Sequence, residues 1–198
     1  MVTAKGQATR ERIVHAAAEL MFRHGVAGTS TPAIRDAAGV SSSQIYHYFA
    51  DKEALTSAVI AYQTRLIVDA QEAVLGRVDS IAALRAWRDL VVGIQRELEC
   101  AGGCPLGSLS SELAEHDPDA RAALADSFSR WGNAIRDGLR QLIEHGVLRA
   151  EADPDKLALA MLAALQGGLL LSQAQRNSSA LEAGLDTIID RIEQYTIT

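Results

Sequence analysis

Residues 31–55 read TPAIRDAAGVSSSQIYHYFADKEAL, and this stretch decides the fold. Apolar side chains recur at helical spacing on both sides of Gly39, which predicts one helix from about Thr31 to Ala38 and a second from about Ser42 to Phe49. Glycine tolerates the positive φ that a tight turn between such helices needs. The two helices and their turn predict a helix-turn-helix, the motif that places its second helix in the major groove of DNA.

The ends of the two helices carry local signals of their own. Ser30 and Ser41 stand where the N-caps belong, and Pro32 lies in a first turn, where a missing N–H does no harm. Apolar residues that suit a close helix crossing occupy the inner positions Ile34, Ala38, Val40 and Ile45. Caps, turn and core positions therefore all favour the same motif.

The second helix has an outer face that is unusual for a soluble helix, because it combines hydroxyl, amide, phenol and imidazole groups and has no carboxylate. Hydroxyl groups bind phosphate oxygens, and glutamine pairs with adenine in the major groove. Together with the start of the first helix and one lysine after the second, the predicted DNA-binding residues are Ser30, Thr31, Ser41, Ser42, Ser43, Gln44, Tyr46, His47 and Lys52. The geometry alone also allows a helical hairpin whose serines and glutamine are merely solvated.

The net charge of −6 on the 198 residues at first argues against a nucleic-acid partner. The charge is uneven along the chain, however. Residues 1–53 have six Lys and Arg against five Asp and Glu, whereas residues 54–198 have 13 against 20. Because the N-terminal part is about neutral, we expect its DNA binding to depend on geometry and dimerisation more than on attraction to phosphates.

Helical periodicity continues to the C-terminus, and no alternating strand pattern interrupts it. We predict an all-α protein of about nine helices. A three-helix helix-turn-helix DNA-binding domain occupies residues 1–52, and a larger ligand-binding and dimerisation domain occupies residues 53–198. The N-terminus lacks the apolar core of a signal peptide, and the longest apolar stretch, Leu157 to Leu171, is short of a membrane span. We therefore expect a cytoplasmic protein with no membrane partner.

The motif resembles the N-terminal domain of the TetR family of transcriptional regulators over about residues 9–60. The resemblance rests on Gly39-Val40-Ser41, Ile45 to Phe49 and Lys52 to Leu55. Members are mostly homodimeric, ligand-responsive repressors, so the resemblance implies a repressor that releases a double-stranded DNA operator when an effector binds. Ser43 replaces a glycine of many members and Arg35 replaces an alanine, so the operator preference of better-known relatives does not carry over.

Residues 102–113, GGCPLGSLSSEL, look like a segment of TetR-type proteins of the LmrA/YxaF kind, a subgroup linked to multidrug and flavonoid-like aromatic effectors. The resemblance implies a small hydrophobic or aromatic effector, and sites for such molecules are mainly apolar with few polar groups. The predicted lining residues are Trp87, Gln95, Cys104, Leu106, Leu109, Phe128, Trp131 and Leu165. Aromatic residues at helical spacing are also common in an ordinary core, and this alternative stays open.

Two apolar stripes near the C-terminus predict a surface for a second copy of the chain. Small residues let helices cross closely, and a two-fold pairing of two helices per chain would give a four-helix interface. The predicted dimer-interface residues are Met161, Leu165, Gly168, Leu181, Leu185, Ile188 and Ile192. The alternative is that these stripes only close the core of a single chain.

No pattern in the sequence indicates an enzyme, a cofactor or a metal site. Cys100 and Cys104 are four residues apart, which would place them on one helix face if the helix continued through the Gly-Gly pair between them. A redox pair or half of a metal site is the alternative, but only His116 is close enough to add a ligand. We expect inert, buried cysteines. Residues 112–116 read ELAEH, which differs from the His-Glu-x-x-His zinc motif. A helical enzyme or small-molecule binder that does not act on DNA is the second hypothesis, and it lacks a catalytic pair or a phosphate-binding loop.

Overall fold

All regular structure in residues 4–197, the part of the chain that the computed structural model describes, is helical apart from one isolated antiparallel bridge between Leu148 and Thr196. The helices are, in chain order, α1 (Ala4–His24), α2 (Thr31–Ala38), α3 (Ser42–Tyr48), α4 (Lys52–Thr64), α5 (Ala70–Leu75), α6 (Ile81–Glu97), α7 (Pro105–Leu113), α8 (Pro118–Glu144), α9 (Pro154–Gln175) and α10 (Ser179–Glu193).

A π-helical turn, Arg65–Asp69, joins α4 to α5 without a break. When α4, this turn and α5 are counted as one helix, as the sequence predicts, the described residues contain nine helices. The all-α prediction is therefore confirmed, with its small N-terminal helix-turn-helix followed by a larger helical part.

The chain forms two compact units. Unit 1 contains α1 to α4, α7 and the start of α8 as far as Asp126, and unit 2 contains α5, α6, the rest of α8, α9 and α10. The boundary predicted between residues 52 and 53 divides the chain by function and stays a prediction. The two compact units group the helices differently from the predicted domains, because α4 and α7 share a core with the helix-turn-helix.

The core of unit 1 is organised around α1, which packs against α2, α4 and α7. Ile13, Ala17 and Met21 follow one another at intervals of four residues on α1, and each is at most 3% exposed. The helix-turn-helix contributes Ile34 and Ile45 to the buried residues of this unit. The position of α3 is therefore set by a core that includes more than the three N-terminal helices.

In unit 2, α10 packs along α9 and α6. Ion pairs join α6 to α10, with Arg88 Nη2 2.7 Å from Asp186 Oδ2 and Arg96 Nη2 2.8 Å from Glu182 Oε1. A hydrogen bond from the Ser178 hydroxyl, together with Arg96, holds the pKa of Glu182 below its usual range despite some burial. These pairs fix how α10 lies on α6.

The predicted dimer-interface residues lie mostly inside a single chain. Side chains with no exposed surface belong to Met161, Leu165, Leu181, Leu185 and Ile192; Gly168 is also buried, and Ile188 is half-buried. These residues close the core between α9 and α10, which is the alternative that the sequence left open. A surface for a second copy has to be sought on the outward side of the same helices.

Within the described residues, α9 is the one helix that is long and apolar enough to cross a membrane by length and composition alone, with a mean hydropathy of 1.6 over its most apolar 18 residues. It is longer than the apolar stretch from Leu157 to Leu171, because it begins at Pro154 and ends at Gln175. Leu157, Met161, Leu165 and Leu169 on this helix are buried by the fold. We therefore assign α9 to the core of unit 2.

The close approach of α9 and α10 at Gly168 leads to a prediction about stability. A Cβ at this position would lie 2.7 Å from Leu181 Cα, so Gly168→Ala forces α9 away from α10 and should lower the free energy of unfolding by about 1–3 kcal/mol. The matched control is Gly93→Ala on α6, where a Cβ would meet no atom within 4 Å. It should raise the free energy by up to about 1 kcal/mol, because alanine favours helix over glycine. Urea unfolding at one protein concentration measures both, and equal effects would contradict the crossing.

Candidate DNA-binding site

A capped helix and a glycine turn set the direction in which the chain enters α3. The Ser30 side chain accepts a hydrogen bond from the N–H of Ala33, which caps α2. Gly39 adopts a left-handed conformation with φ of +63°, and the N–H of Val40 donates back to Arg35 O. No atom would obstruct a Cβ on Gly39, so its backbone conformation alone requires glycine.

The first turn of α3 is held by a reciprocal capping box between Ser41 and Gln44. Ser41 Oγ accepts from the Gln44 N–H at 3.2 Å, and Gln44 Oε1 accepts from the Ser41 N–H at 2.9 Å. Ser43 Oγ lies 2.8 Å from Ser41 Oγ. The acceptor end of the Gln44 amide therefore stabilises α3, while its donor end, Nε2, takes no part in the box.

The predicted DNA-binding residues all lie in unit 1. The exposed ones are Ser30, Ser41, Ser42, Ser43, Gln44, Tyr46, His47 and Lys52, and Thr31 is half-buried. Ser42 and Tyr46, and likewise Ser43 and His47, are four residues apart, so they form neighbouring pairs on the outer side of α3. Tyr46 is 59% exposed, which is unusual for a large aromatic residue in a folded unit. The structure therefore presents one continuous polar and aromatic face.

Hydrophobic and ring contacts hold α3 from its other side. Ile45 and Phe49 are both 3% exposed. The Arg10 guanidinium of α1 lies 5.2 Å from the centroid of the Phe49 ring, a cation–π contact at the end of α3. The sequence did not indicate Arg10, because the 38 residues between it and Phe49 leave no local pattern. Arg10 places a cation beside the reading helix that composition alone did not assign there.

Charge on the reading surface is sparse. Lys52 is the only Lys or Arg between residues 41 and 55, and it lies exposed in the first turn of α4. Asp51 caps that helix by accepting from the Ala54 N–H at 2.7 Å. Arg35 is paired with its neighbour Asp36 at 2.6 Å, so part of its charge is neutralised within α2. The surface therefore has few cations to attract phosphates.

Six of the residues predicted to line an effector site belong to unit 2: Trp87, Gln95, Cys104, Phe128, Trp131 and Leu165. The other two, Leu106 and Leu109, belong to unit 1 and are buried there. In unit 2, Phe128 is half-buried and the rest are buried. Burial agrees equally with an ordinary core, so these assignments stay predictions.

The two tryptophans differ in the hydrogen bonding of their indole N–H groups. Trp87 Nε1 donates to Gln71 Oε1 at 2.7 Å, which satisfies its indole N–H. Trp131 Nε1, Gln95 Oε1 and Ser172 Oγ are buried and have no hydrogen-bond partner among the described residues. Arg88 Nε and Gln166 Nε2 are in the same state. Buried polar atoms normally find partners, so the unpaired ones in unit 2 need an explanation.

The two cysteines do not share a helix. α6 ends at Glu97, and the backbone then turns left-handed at Glu99 and Cys100, with φ of 52° and 53°. Cys100 and Cys104 are both buried, as the sequence predicted. No group of three or more His, Cys, Asp and Glu in residues 4–197 is arranged to hold a metal ion.

Two family profiles match the sequence. The profile described as bacterial regulatory proteins, tetR family, matches residues 13–59, and the profile described as transcriptional regulator LmrA/YxaF-like, C-terminal domain, matches residues 80–185. The first covers the helix-turn-helix, and the second covers more than half of the chain.

Similar proteins agree with these profiles. An HTH-type transcriptional regulator encoded in the lacX 3′ region of Lactococcus lactis is 30% identical over 94% of this chain and 94% of its own. The HTH-type transcriptional repressor DhaR of Mycobacterium sp. strain GP1 is 24% identical over 92% of this chain and 91% of its own. A TetR transcriptional regulator from Chloroflexus aurantiacus, 28% identical, superposes with a TM-score of 0.86 over 98% of each chain. This chain belongs to the TetR family of bacterial transcriptional regulators, which bind DNA and are not enzymes, and its C-terminal domain is of the LmrA/YxaF-like kind.

Proposed function

We propose that this regulator is a homodimeric repressor that reads a double-stranded operator with α3 and releases it when a small hydrophobic or aromatic effector binds its C-terminal domain. The observation that carries the proposal is the exposed face of α3, which has hydroxyl, amide, phenol and imidazole groups and no carboxylate. One relative, DhaR, is named a repressor. Operator DNA lies in the cytoplasm of a bacterium, so the protein acts there.

The capping box changes which base Gln44 is expected to read. A bidentate contact with adenine needs the amide oxygen for N6 and the amide nitrogen for N7. Gln44 Oε1 already accepts from the Ser41 N–H, so adenine would have to compete with the cap of α3. The Nε2 donor is better matched to a base edge that offers acceptors, namely guanine O6 and N7 or thymine O4.

Dimerisation compensates for the weak electrostatic attraction between the α3 surface and DNA phosphates. A two-fold dimer binds two half-sites at once, so the contacts of both α3 helices add to the affinity. Neither chain then needs many contacts with phosphates. The outward side of α9 offers a surface for the second copy, because Leu159 and Leu170 are 70% and 64% exposed. Ala163 and Gly167 are exposed between them at helical spacing, which lets a partner helix approach closely. We place the dimer interface on this side of α9.

Two of the unpaired polar atoms of unit 2 support an effector site and indicate which groups we expect an effector to offer. The Trp131 N–H requires an acceptor, and Gln95 Oε1 requires a donor. An aromatic molecule with a carbonyl or phenolate oxygen and a hydroxyl group meets both requirements. The release of DNA then follows if the effector binds the DNA-free conformer more tightly than the DNA-bound one.

Operator binding is tested with DNA from directly upstream of the gene that encodes the protein. An electrophoretic shift is expected, and Lys52→Ala should weaken it while lowering the slope of log K against log salt by about one, because one phosphate contact is lost. Arg77→Ala, at an exposed arginine that follows α5 in unit 2, removes the same charge and should leave the slope unchanged. Equal slopes for both variants would contradict the contact by Lys52.

Base reading is tested with Gln44→Glu and Gln44→Ala. Glutamate keeps the capping box but replaces the Nε2 donor by an acceptor, so selection from a randomised operator should shift one position per half-site towards cytosine, whose N4 donates. Gln44→Ala also removes the acceptor for the Ser41 N–H and should lower the free energy of unfolding by about 1 kcal/mol, the typical net contribution of one hydrogen bond. Unchanged base preference in Gln44→Glu would show that this side chain only caps α3.

Effector binding is tested with Trp131→Phe and Trp87→Phe. A compound that releases DNA from the unaltered protein is first found among aromatic hydroxy and carbonyl compounds. Trp131→Phe should need about fivefold more of it, since one hydrogen bond contributes on the order of 1 kcal/mol and about 1.4 kcal/mol corresponds to tenfold. Trp87→Phe removes an indole N–H that Gln71 already uses and should respond normally. A normal response in Trp131→Phe would exclude its N–H as an anchor.

A further inference from the structure

Glu112, near the end of α7, reaches a loop that lies more than 80 residues earlier in the chain. Its Oε2 accepts from the Val26 N–H at 2.7 Å, and its Oε1 accepts from the Ala27 N–H at 2.6 Å. Both partners belong to unit 1. One carboxylate thus binds two successive backbone N–H groups, and hydrogen bonds to a charged acceptor are stronger than neutral ones.

The loop held by Glu112 connects α1 to α2. α1 ends at His24, and Gly25 follows with φ of +73°. A Cβ on Gly25 would lie 3.0 Å from Glu112 Oε2, so glycine also gives the carboxylate room. The loop then runs to Thr29, whose hydroxyl donates to Gly25 O at 2.7 Å, and to Ser30, the N-cap of α2. The loop therefore sets where the helix-turn-helix begins.

Side-chain packing alone does not fix α7 at this point. A cavity of about 120 Å³ lies between α1, α4 and α7, directly beside Glu112. Its walls include Met21 and Phe22 of α1, Val59 of α4 and Leu109 of α7. Atoms that line this cavity have no packed protein atoms on that side, so fewer protein contacts oppose a small displacement of α7 than in a close-packed core. The two hydrogen bonds of Glu112 are the specific link between α7 and the loop.

We propose that Glu112 is a positioning residue for operator binding. It touches no base or phosphate; it holds the Val26-Ala27 backbone so that α2 and α3 start from the orientation that fits DNA. This proposal rests on the proposed reading of DNA by α3. When the link is broken, the loop samples other conformations, and the apparent operator affinity falls in proportion to the fraction of protein that keeps the competent one.

The test uses Glu112→Ala and the isosteric Glu112→Gln, with Glu115→Ala as the matched control. Glu115 is an exposed carboxylate three residues further on, so its removal changes the charge equally. Electrophoretic shift with the upstream DNA gives the affinity and its salt slope, and hydrogen exchange followed by NMR reports on the Val26 and Ala27 N–H groups. All measurements are made below the onset of thermal unfolding of each variant.

Glu112→Ala should exchange both amides faster and bind DNA about tenfold more weakly if the competent fraction falls to roughly a tenth. Glu112→Gln keeps one acceptor oxygen and should fall between Glu112→Ala and the unaltered protein, and both should keep the full salt slope. Loss of a negative charge alone strengthens binding to DNA, so Glu115→Ala should bind as well as or better than the unaltered protein. Weaker binding by the Glu112 variants thus cannot come from charge.

Fast amide exchange with unaltered affinity would overturn the proposal, as would amides whose exchange does not change. If Glu112→Ala does not fold, Glu112→Gln decides by the same two measurements. The absence of any shift with the unaltered protein would instead refute the proposed operator, which separates failure of the proposed function from failure of the positioning role.

Discussion

The left-handed backbone of Gly39 is the constraint on which the DNA-reading surface depends. It ends α2, returns the Val40 N–H to α2, and allows Ser41 to start α3 within two residues. The direction of α3 is thereby fixed before any long-range contact forms. Burial of Ile45 then decides which side of α3 faces inward, and the opposite side, rich in hydroxyl groups, becomes the surface proposed to read DNA. The orientation of this surface thus follows from the positive φ of Gly39 and from the helical spacing of the apolar residues on either side of it.

Local features of this region could be read from the sequence, and long-range ones could not. The caps at Ser30 and Ser41 depend on residues three positions away, so they were predicted correctly. The capping box of Gln44 was missed although its signal, Ser-x-x-Gln before an apolar residue, is present in the sequence. The bonds from Glu112 to the loop after α1 join residues 85 and 86 positions apart, and a single sequence has no pattern that reports such a pairing.

The C-terminal helices show a second limit of sequence patterns. Periodicity identifies the buried side of a helix, but it does not say whether the same chain or a partner covers that side. Leu181, Leu185 and Ile192 are covered within one chain, and the exposed leucines of α9 lie on the other side of the bundle. The same limit applies to the tryptophans, since only the hydrogen bond from Trp87 to Gln71 distinguishes it from Trp131.

Under the proposed function, the nearly neutral surface of α3 obtains its affinity for DNA from shape, from capped helix ends and from the pairing of two chains, because Lys52 is the only Lys or Arg between residues 41 and 55. Hydrogen exchange of the whole protein, with and without the upstream DNA, tests this most directly. We predict that DNA slows exchange mainly in α3 and at the starts of α2 and α4, with little change in α6 and α10. Protection centred on unit 2, with α3 unchanged, would contradict the assignment of α3 as the reading helix.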